Sequence, residues 1–300
     1  MDMKRGFVTV VTGAERYYQM AVNLLNSYRF FAKEPLPFAI IAEEENEYTK
    51  QFDKTILLNN VTHTYMDKLE VFNNIPYKET IFLEPDILLY GDFNDIFEKF
   101  IGVEGCGLFG YRYPLDSSNG WFLLKEAGKY RDKVHFIPNF HSGIMYLTQS
   151  KTCENVYKIY RDVWANFPEY NIGGSRDALD DKCLAIALAV ENCTLIPGSN
   201  SILAVPARRY LKKHPQCRMH KILRAKQKWG GVHWGNYFTR KAMYRREVHS
   251  LNCLINNQKK GWRFVLLSME IPFSEFFIGV YILKNHVLEW LSKVKKSLFK

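Results

Sequence analysis

No stretch of this 300-residue chain reaches the roughly 18 uninterrupted apolar residues that a membrane span needs. The first apolar run, residues 7–11, is broken by Thr12-Gly13 and is too short for the core of a secretory leader. Cysteine is sparse and scattered (Cys106, Cys153, Cys183, Cys193, Cys217, Cys253), with no Cys-x-x-Cys pair and no metal-ligand spacing. That excludes a cysteine metal site and leaves reduced, mostly buried thiols as the expectation. No RNP-type strand, zinc-finger spacing or helix-turn-helix signature is present, so no nucleic-acid module is expected. Internal repeats and low-complexity linkers are absent too. Acid is the scarcer charge, with 31 Asp and Glu against 41 Lys and Arg. The resulting net charge of +10 points to an anionic partner: a nucleic acid, a nucleotide diphosphate or an acidic membrane.

What is present fits one large domain, or one domain with an appendage, long enough to bury a substantial core. Residues 6–13 read as a short buried strand followed by a turn. Residues 17–31 have helical spacing, with Met20, Leu24, Leu25 and Tyr28 near one face. Residues 38–42 and 54–58 read as strands, and a helical segment opens at Lys68 before the strand that ends at Glu84. Farther along, 140–147 reads as a strand, 151–167 and 177–190 as helices, and 194–197 as a final strand. This alternation predicts a mainly parallel α/β sheet. Ligands of such sheets sit at the carboxyl ends of strands, where Thr12-Gly13 and Glu84-Asp86 become predicted neighbours.

The most informative stretch is Ile81-Phe82-Leu83-Glu84-Pro85-Asp86-Ile87-Leu88-Leu89-Tyr90-Gly91-Asp92-Phe93-Asn94-Asp95-Ile96-Phe97. An apolar, β-prone run ends in two carboxylates one residue apart, and a second apolar run follows. In a strand, Glu84 and Asp86 share one side, and Pro85 lacks the donor needed to continue regular pairing. Two hard oxygen ligands there suit Mg²⁺ or Mn²⁺ carrying a phosphate. The segment resembles, without a gap, the metal motif of the retaining glycosyltransferases that include glycogenin and the bacterial lipopolysaccharide galactosyl- and glucosyltransferases. Glu84 stands where that family usually has aspartate. The resemblance covers roughly residues 6–240. It implies a GT-A-type, Rossmann-like nucleotide-sugar transferase domain over 1–245, followed by a basic, aromatic, helical extension over 246–300.

Other roles follow from the resemblance alone. Val11, Thr12, Gly13 and Tyr17 match the strand end and early tyrosine that hold the base and ribose of a UDP-sugar; Tyr17 reads equally as core cover beside a turn. Lys68 matches a cation near the donor, although a lysine at a helix start is by itself usually solvated. Phe140-His141-Ser142-Gly143 is similar to Phe-Asn-Ser-Gly, which places His141 and Ser142 near the transferred sugar. His141 reads equally as a core histidine. Asp180-Asp181 resembles the family's Asp-Gln or Asp-Glu, an element that sets a side chain beside the anomeric carbon or the sugar hydroxyls, whereas aspartates in a first helical turn are also ordinary caps, a role open to Asp177 as well. His233, in Gly230-Gly231-Val232-His233-Trp234-Gly235-Asn236, matches the third metal ligand. Gly235 and Lys241 (or Arg240) are expected at the diphosphate.

Basic residues cluster from Arg208 to Lys228, and the last residues interleave lysines with Val287, Leu288, Leu291, Val294 and Leu298. That pattern reads as an interfacial membrane anchor or, alternatively, as an amphipathic helix packed on the domain. The expectation is a cytoplasmic hexosyltransferase, peripheral at the inner face of the membrane, using Mn²⁺ or Mg²⁺ and a UDP-hexose to extend a glycan or glycolipid. Two rivals remain: a non-catalytic nucleotide- or carbohydrate-binding relative, and a nucleotidyltransferase. The latter is disfavoured because no Gly-rich, basic triphosphate loop follows the first strand.

Overall fold

The computed structural model describes residues 4–170, 180–197, 229–233 and 242–259, together with Gly261 and Leu266. They belong to two compact units. The first holds the strands β1 (Arg5–Val11), β2 (Phe38–Ala42), β3 (Lys54–Leu57), β4 (Glu79–Leu83), β5 (Ile87–Gly91), β6 (Cys106–Tyr113), β7 (Ile137–Thr148), β8 (Thr194–Ile196) and β9 (Trp229–His233). Its helices are α1 (Glu15–Phe31), α2 (Lys151–Ala165) and α3 (Asp180–Val190). The second unit contains α4 (Ala242–Ile255), in which Tyr244, Leu251 and Cys253 are buried. No helix among the described residues is long and apolar enough to cross a membrane.

Seven strands form one sheet in the order β3-β2-β1-β4-β7-β6-β8. β3, β2, β1 and β4 run parallel, β7 runs antiparallel to β4 and β6, and β8 is parallel to β6. The sheet is therefore mainly parallel, as the alternation of elements predicts. Its central strands are buried on both faces, which is why they read as continuous apolar runs rather than alternating ones. Phe7 and Val11 of β1, Phe38 and Ile40 of β2, and Ile81 and Leu83 of β4 enter one core with α1. Val8, Val10, Ala39, Ile41 and Phe82 enter the other, with α2 and α3. That division follows the two-residue period of a strand.

Several elements differ from expectation. β4 stops at Leu83, so Glu84, Pro85 and Asp86 form a turn rather than a fraying strand end; Ile87 N–H closes it on the Glu84 carbonyl at 3.2 Å. β5 then leaves the main sheet and, among the described residues, pairs with β9. The segment around Lys68 is a tight 3-10 turn, Tyr65–Asn73, and Lys68 lies inside it rather than at its start. The Thr64 hydroxyl caps that turn by accepting from Met66 N–H. β6 was not expected as a strand. Cys106, Cys153, Cys183, Cys193 and Cys253 are buried free thiols, whereas Cys217 and the basic tract from Arg208 to Lys228 lie outside the described residues.

Candidate metal centre

The carboxylate turn is tied to the sheet where β4 ends, since Glu84 N–H donates to the Gly143 carbonyl of β7 at 3.0 Å. The third member arrives from β9, whose register sets His233 opposite Ile87 and thus beside Asp86. Glu84, Asp86 and His233 can each aim one ligand atom so that all three lie within 4.8 Å of one another. His233 Nε2 stands 2.9 Å from Glu84 Oε2 and 3.2 Å from Asp86 Oδ1. Asp86 Oδ1 is buried and makes no hydrogen bond, so the ion pair with His233 is the contact that faces it. Burial pulls the His233 imidazole down, but the Asp86 and Glu84 carboxylates prevail and push it up to about 10. Two carboxylate oxygens and one imidazole, one oxygen orphaned, suit a divalent cation with a preference for Mn²⁺ over Mg²⁺.

Lys68 is the hub beside this triad. Its Nζ lies 3.0 Å from Glu84 Oε1, 2.5 Å from Asp180 Oδ2 and 3.6 Å from Asp181 Oδ1, and it donates to Ser142 Oγ at 2.9 Å. Burial opposes charge on both partners. Even so, Glu84 and the aspartates hold Lys68 well above the usual ammonium range, while Lys68 and His233 hold Glu84 well below the usual carboxylate range. Asp180 moves upward, because burial and the adjacent Asp181 outweigh the lysine. Glu84, Asp86, Asp180 and Asp181 thus crowd one ammonium and one imidazole, an excess of negative charge that favours a bound cation. The extra methylene of Glu84 lets one carboxylate serve both Lys68 and His233.

His141 does not stand apart in the sugar region. Its Nε2 is 2.9 Å from His233 Nδ1, and the two rings meet nearly perpendicular with centroids 4.7 Å apart. Its Nδ1 accepts Gly143 N–H at 3.0 Å. Burial, then the neighbouring His233, lowers its basicity.

At the end of β1 the expected base-binding groups are already engaged. Val11 is core on its side-chain face. Thr12 Oγ1 donates to Asp67 Oδ2 at 2.7 Å, and Gly13 N–H donates to Glu43 Oε1 at 2.8 Å, with Gly13 at φ 81°. Glu43 Oε2 also meets His63 Nε2 at 2.6 Å. Tyr17 is half-buried against the α1 core, with the Arg16 guanidinium over its ring at 4.6 Å. Asp67, Glu43 and His63 were not singled out from sequence. The only signal was the Thr62-His63-Thr64 run before Asp67, the composition of a side-chain-capped turn. Gly235, Lys241 and Arg240 lie outside the described residues, as does Asp177.

No family model and no curated protein matches the chain. Solved structures do. The bifunctional glycosyltransferase WbbM aligns with a TM-score of 0.55 at 10% identity over 90% of this chain and 52% of its own. This chain therefore spans about half the length of WbbM. The galactosyltransferase LgtC, solved with donor and acceptor sugar analogs, aligns at 0.53 and 10% identity over 85% of this chain and 96% of its own. GlyE of Streptococcus pneumoniae TIGR4 aligns at 0.53 and 12% identity over 85% of this chain and 63% of its own. With a seven-stranded, mainly parallel sheet and a carboxylate turn at a strand's carboxyl end, the chain has the fold of the GT-A glycosyltransferases.

Proposed function

We propose that the chain is a metal-dependent hexosyltransferase. It moves a hexose from a UDP-linked sugar to a hydroxyl of a glycan or glycolipid, with retention of configuration, in the synthesis of cell-surface polysaccharide or lipopolysaccharide. One observation carries this reading: the Glu84–Asp86–His233 triad, with its orphaned Asp86 oxygen, stands where β4 ends in a glycosyltransferase fold. A divalent ion held there would supply positive charge for the leaving diphosphate. The chain's own residues then have separable tasks. Lys68 keeps Glu84 ionised and ties Asp180 and Ser142 into one rigid group. Asp180 and Asp181, at the first turn of α3, face the sugar and its anomeric carbon, which the acceptor hydroxyl attacks as the bond to diphosphate breaks. His141 and Ser142 line the same side. The end of β1, with Tyr17, holds the base; Gly235 and Lys241 take the diphosphate. The extension from about residue 246 brings the domain to an anionic membrane face.

A specific observation also favours a binding-only relative: both Glu84 oxygens are engaged, by Lys68 and by His233. Calorimetric titration of UDP with and without Mn²⁺, followed by assay of UDP-hexose hydrolysis, separates the two. Mn²⁺-dependent binding with turnover supports the transferase, and binding without turnover supports the relative. No binding in either condition refutes the nucleotide-sugar reading, and pyrophosphate release from a nucleoside triphosphate would replace it with a nucleotidyltransferase.

A further inference from the structure

Beside the metal centre lies a rim that the proposed reaction leaves without a task. The register of β4 on β7 ends at the pair Leu83 and Ile144, so the earlier part of β7 runs on past the end of β4. Pro138 carries no N–H, which suits a backbone turned away from β6, and Phe140 follows it by the two-residue period. Trp121 occupies that edge. Its backbone N–H donates to the Pro138 carbonyl at 2.9 Å, and its indole Nε1–H donates to the Phe140 carbonyl at 3.0 Å. The loop is seated closely: a Cβ on Gly120 would lie 2.2 Å from Ile137 Cγ2 and 2.7 Å from the Pro138 carbonyl oxygen. Farther along β7 the Gly143 carbonyl accepts Glu84 N–H. Trp121 and the carboxylate turn therefore flank one stretch of strand, with His141 and Ser142 between them.

Trp121 is 36% exposed. Its one donor is spent on Phe140, so the exposed part of the indole offers carbon surface alone. An exposed pair adjoins it. Tyr111 of β6 stands opposite Asn139 of β7, on the same face as Phe109 and His141 and about 7 Å farther along the strands. Tyr111 is 46% exposed, and Asn139 Nδ2 donates to the Asn119 carbonyl at 2.7 Å, which ties the amide to the same loop. A flat apolar ring beside a phenol and an amide matches a pyranose, which has an apolar C–H face and a rim of hydroxyls. Position along β7 decides which sugar. His141 and Ser142 line the transferred hexose, and the aromatic rim lies beyond them from the carboxylate turn, on the side from which an attacking hydroxyl can come. We infer that Trp121, Tyr111 and Asn139 form the acceptor subsite, with a hexopyranose stacked on the Trp121 indole. The inference rests on the transferase reading and deepens it by naming a ring-stacked saccharide as the acceptor.

The test uses the full chain, ¹⁵N-labelled at tryptophan, with UDP and diamagnetic Mg²⁺ present. The probes are the methyl glycosides of glucose, galactose and N-acetylglucosamine. The Trp121 indole N–H signal is assigned by its loss in Trp121→Phe. At least one glycoside should shift that signal on titration. Trp121→Ala should weaken its binding about tenfold, and Trp121→Phe, which keeps a flat ring, should stay within about threefold of wild type. A Trp121 signal that no glycoside moves overturns the assignment, as does an alanine variant that binds like wild type or a phenylalanine variant as weak as alanine. If Trp121→Ala also loses UDP, the exposed Tyr111→Ala and Asn139→Ala variants decide: weakened glycoside binding supports the subsite, and wild-type binding by both overturns it. The two readings fail separately. UDP binding without a glycoside at Trp121 removes the acceptor subsite alone, whereas a glycoside at Trp121 without UDP binding removes the donor reading and leaves a sugar platform.

Discussion

Replacing Lys68 with methionine probes the centre without touching a proposed metal ligand. Methionine keeps most of the volume and the unbranched stem, so packing changes little. What goes is the ammonium 3.0 Å from Glu84 and 2.5 Å from Asp180. At an effective dielectric of about 20, unit charges at that spacing attract by about 5 kcal/mol. Desolvation offsets much of that in the intact cluster, but removing one partner leaves the other carboxylates buried and unpaired, at a cost of about 3–5 kcal/mol. For a unit of this size that lowers the melting temperature by about 6–20 °C. The pH dependence carries a second signature. In the wild type the folded-state pKa of Glu84 is depressed, so its stabilisation is present above the ordinary carboxylate range and is lost as pH falls from that range down through the lowered folded-state value. In the variant, burial acts unopposed by the lysine and raises the carboxyls. Protonation then favours the folded form, and the deficit shrinks as pH falls from about 7 to about 5. Scanning calorimetry of metal-free protein reads both effects. A variant melting within about 2 °C of wild type, or a deficit that widens on acidification, refutes the claim that Lys68 neutralises the site.

Other outcomes follow from the same geometry. Asp86→Ala should abolish Mn²⁺-dependent UDP binding in calorimetry, and retained binding sinks the metal assignment. With His233 pushed up to about 10, a cation must displace its proton, so Mn²⁺ affinity should rise about tenfold per pH unit between about pH 6 and 8. Titrations that show no pH dependence contradict that competition. Gly110→Ala places a Cβ 2.4 Å from the Asn139 carbonyl oxygen, so β6 and β7 must separate, and denaturant unfolding should show a loss of about 1–3 kcal/mol. A chain ending before residue 262 should lose binding to phosphatidylserine vesicles in flotation assays, and unchanged flotation removes the membrane-anchor reading of the tail.

The local chemistry of this protein was legible in its sequence. β1, β2 and β4 announce themselves as short apolar runs because both of their faces are buried, and α1 and α2 because one stripe of each is apolar. Glu84 and Asp86 are visible together because they are two residues apart on the chain, and Pro85 between them marks the end of regular pairing. β6 was not legible: Gly107, Gly110 and Arg112 dilute its strand character, yet the sheet needs glycine at 110, where a side chain would strike the backbone of β7. Nor did local pattern show that β7 runs antiparallel to β4, or that β5 leaves the main sheet for β9. Only that pairing carries His233 to Asp86, and only the packing of the 3-10 turn against β1, α2 and α3 turns an ordinary lysine at position 68 into the counter-ion of three carboxylates. Helical and strand periods record which face of a segment is buried. Which distant segment lies against it depends on sheet register and crossover, and there the tertiary structure decided the site.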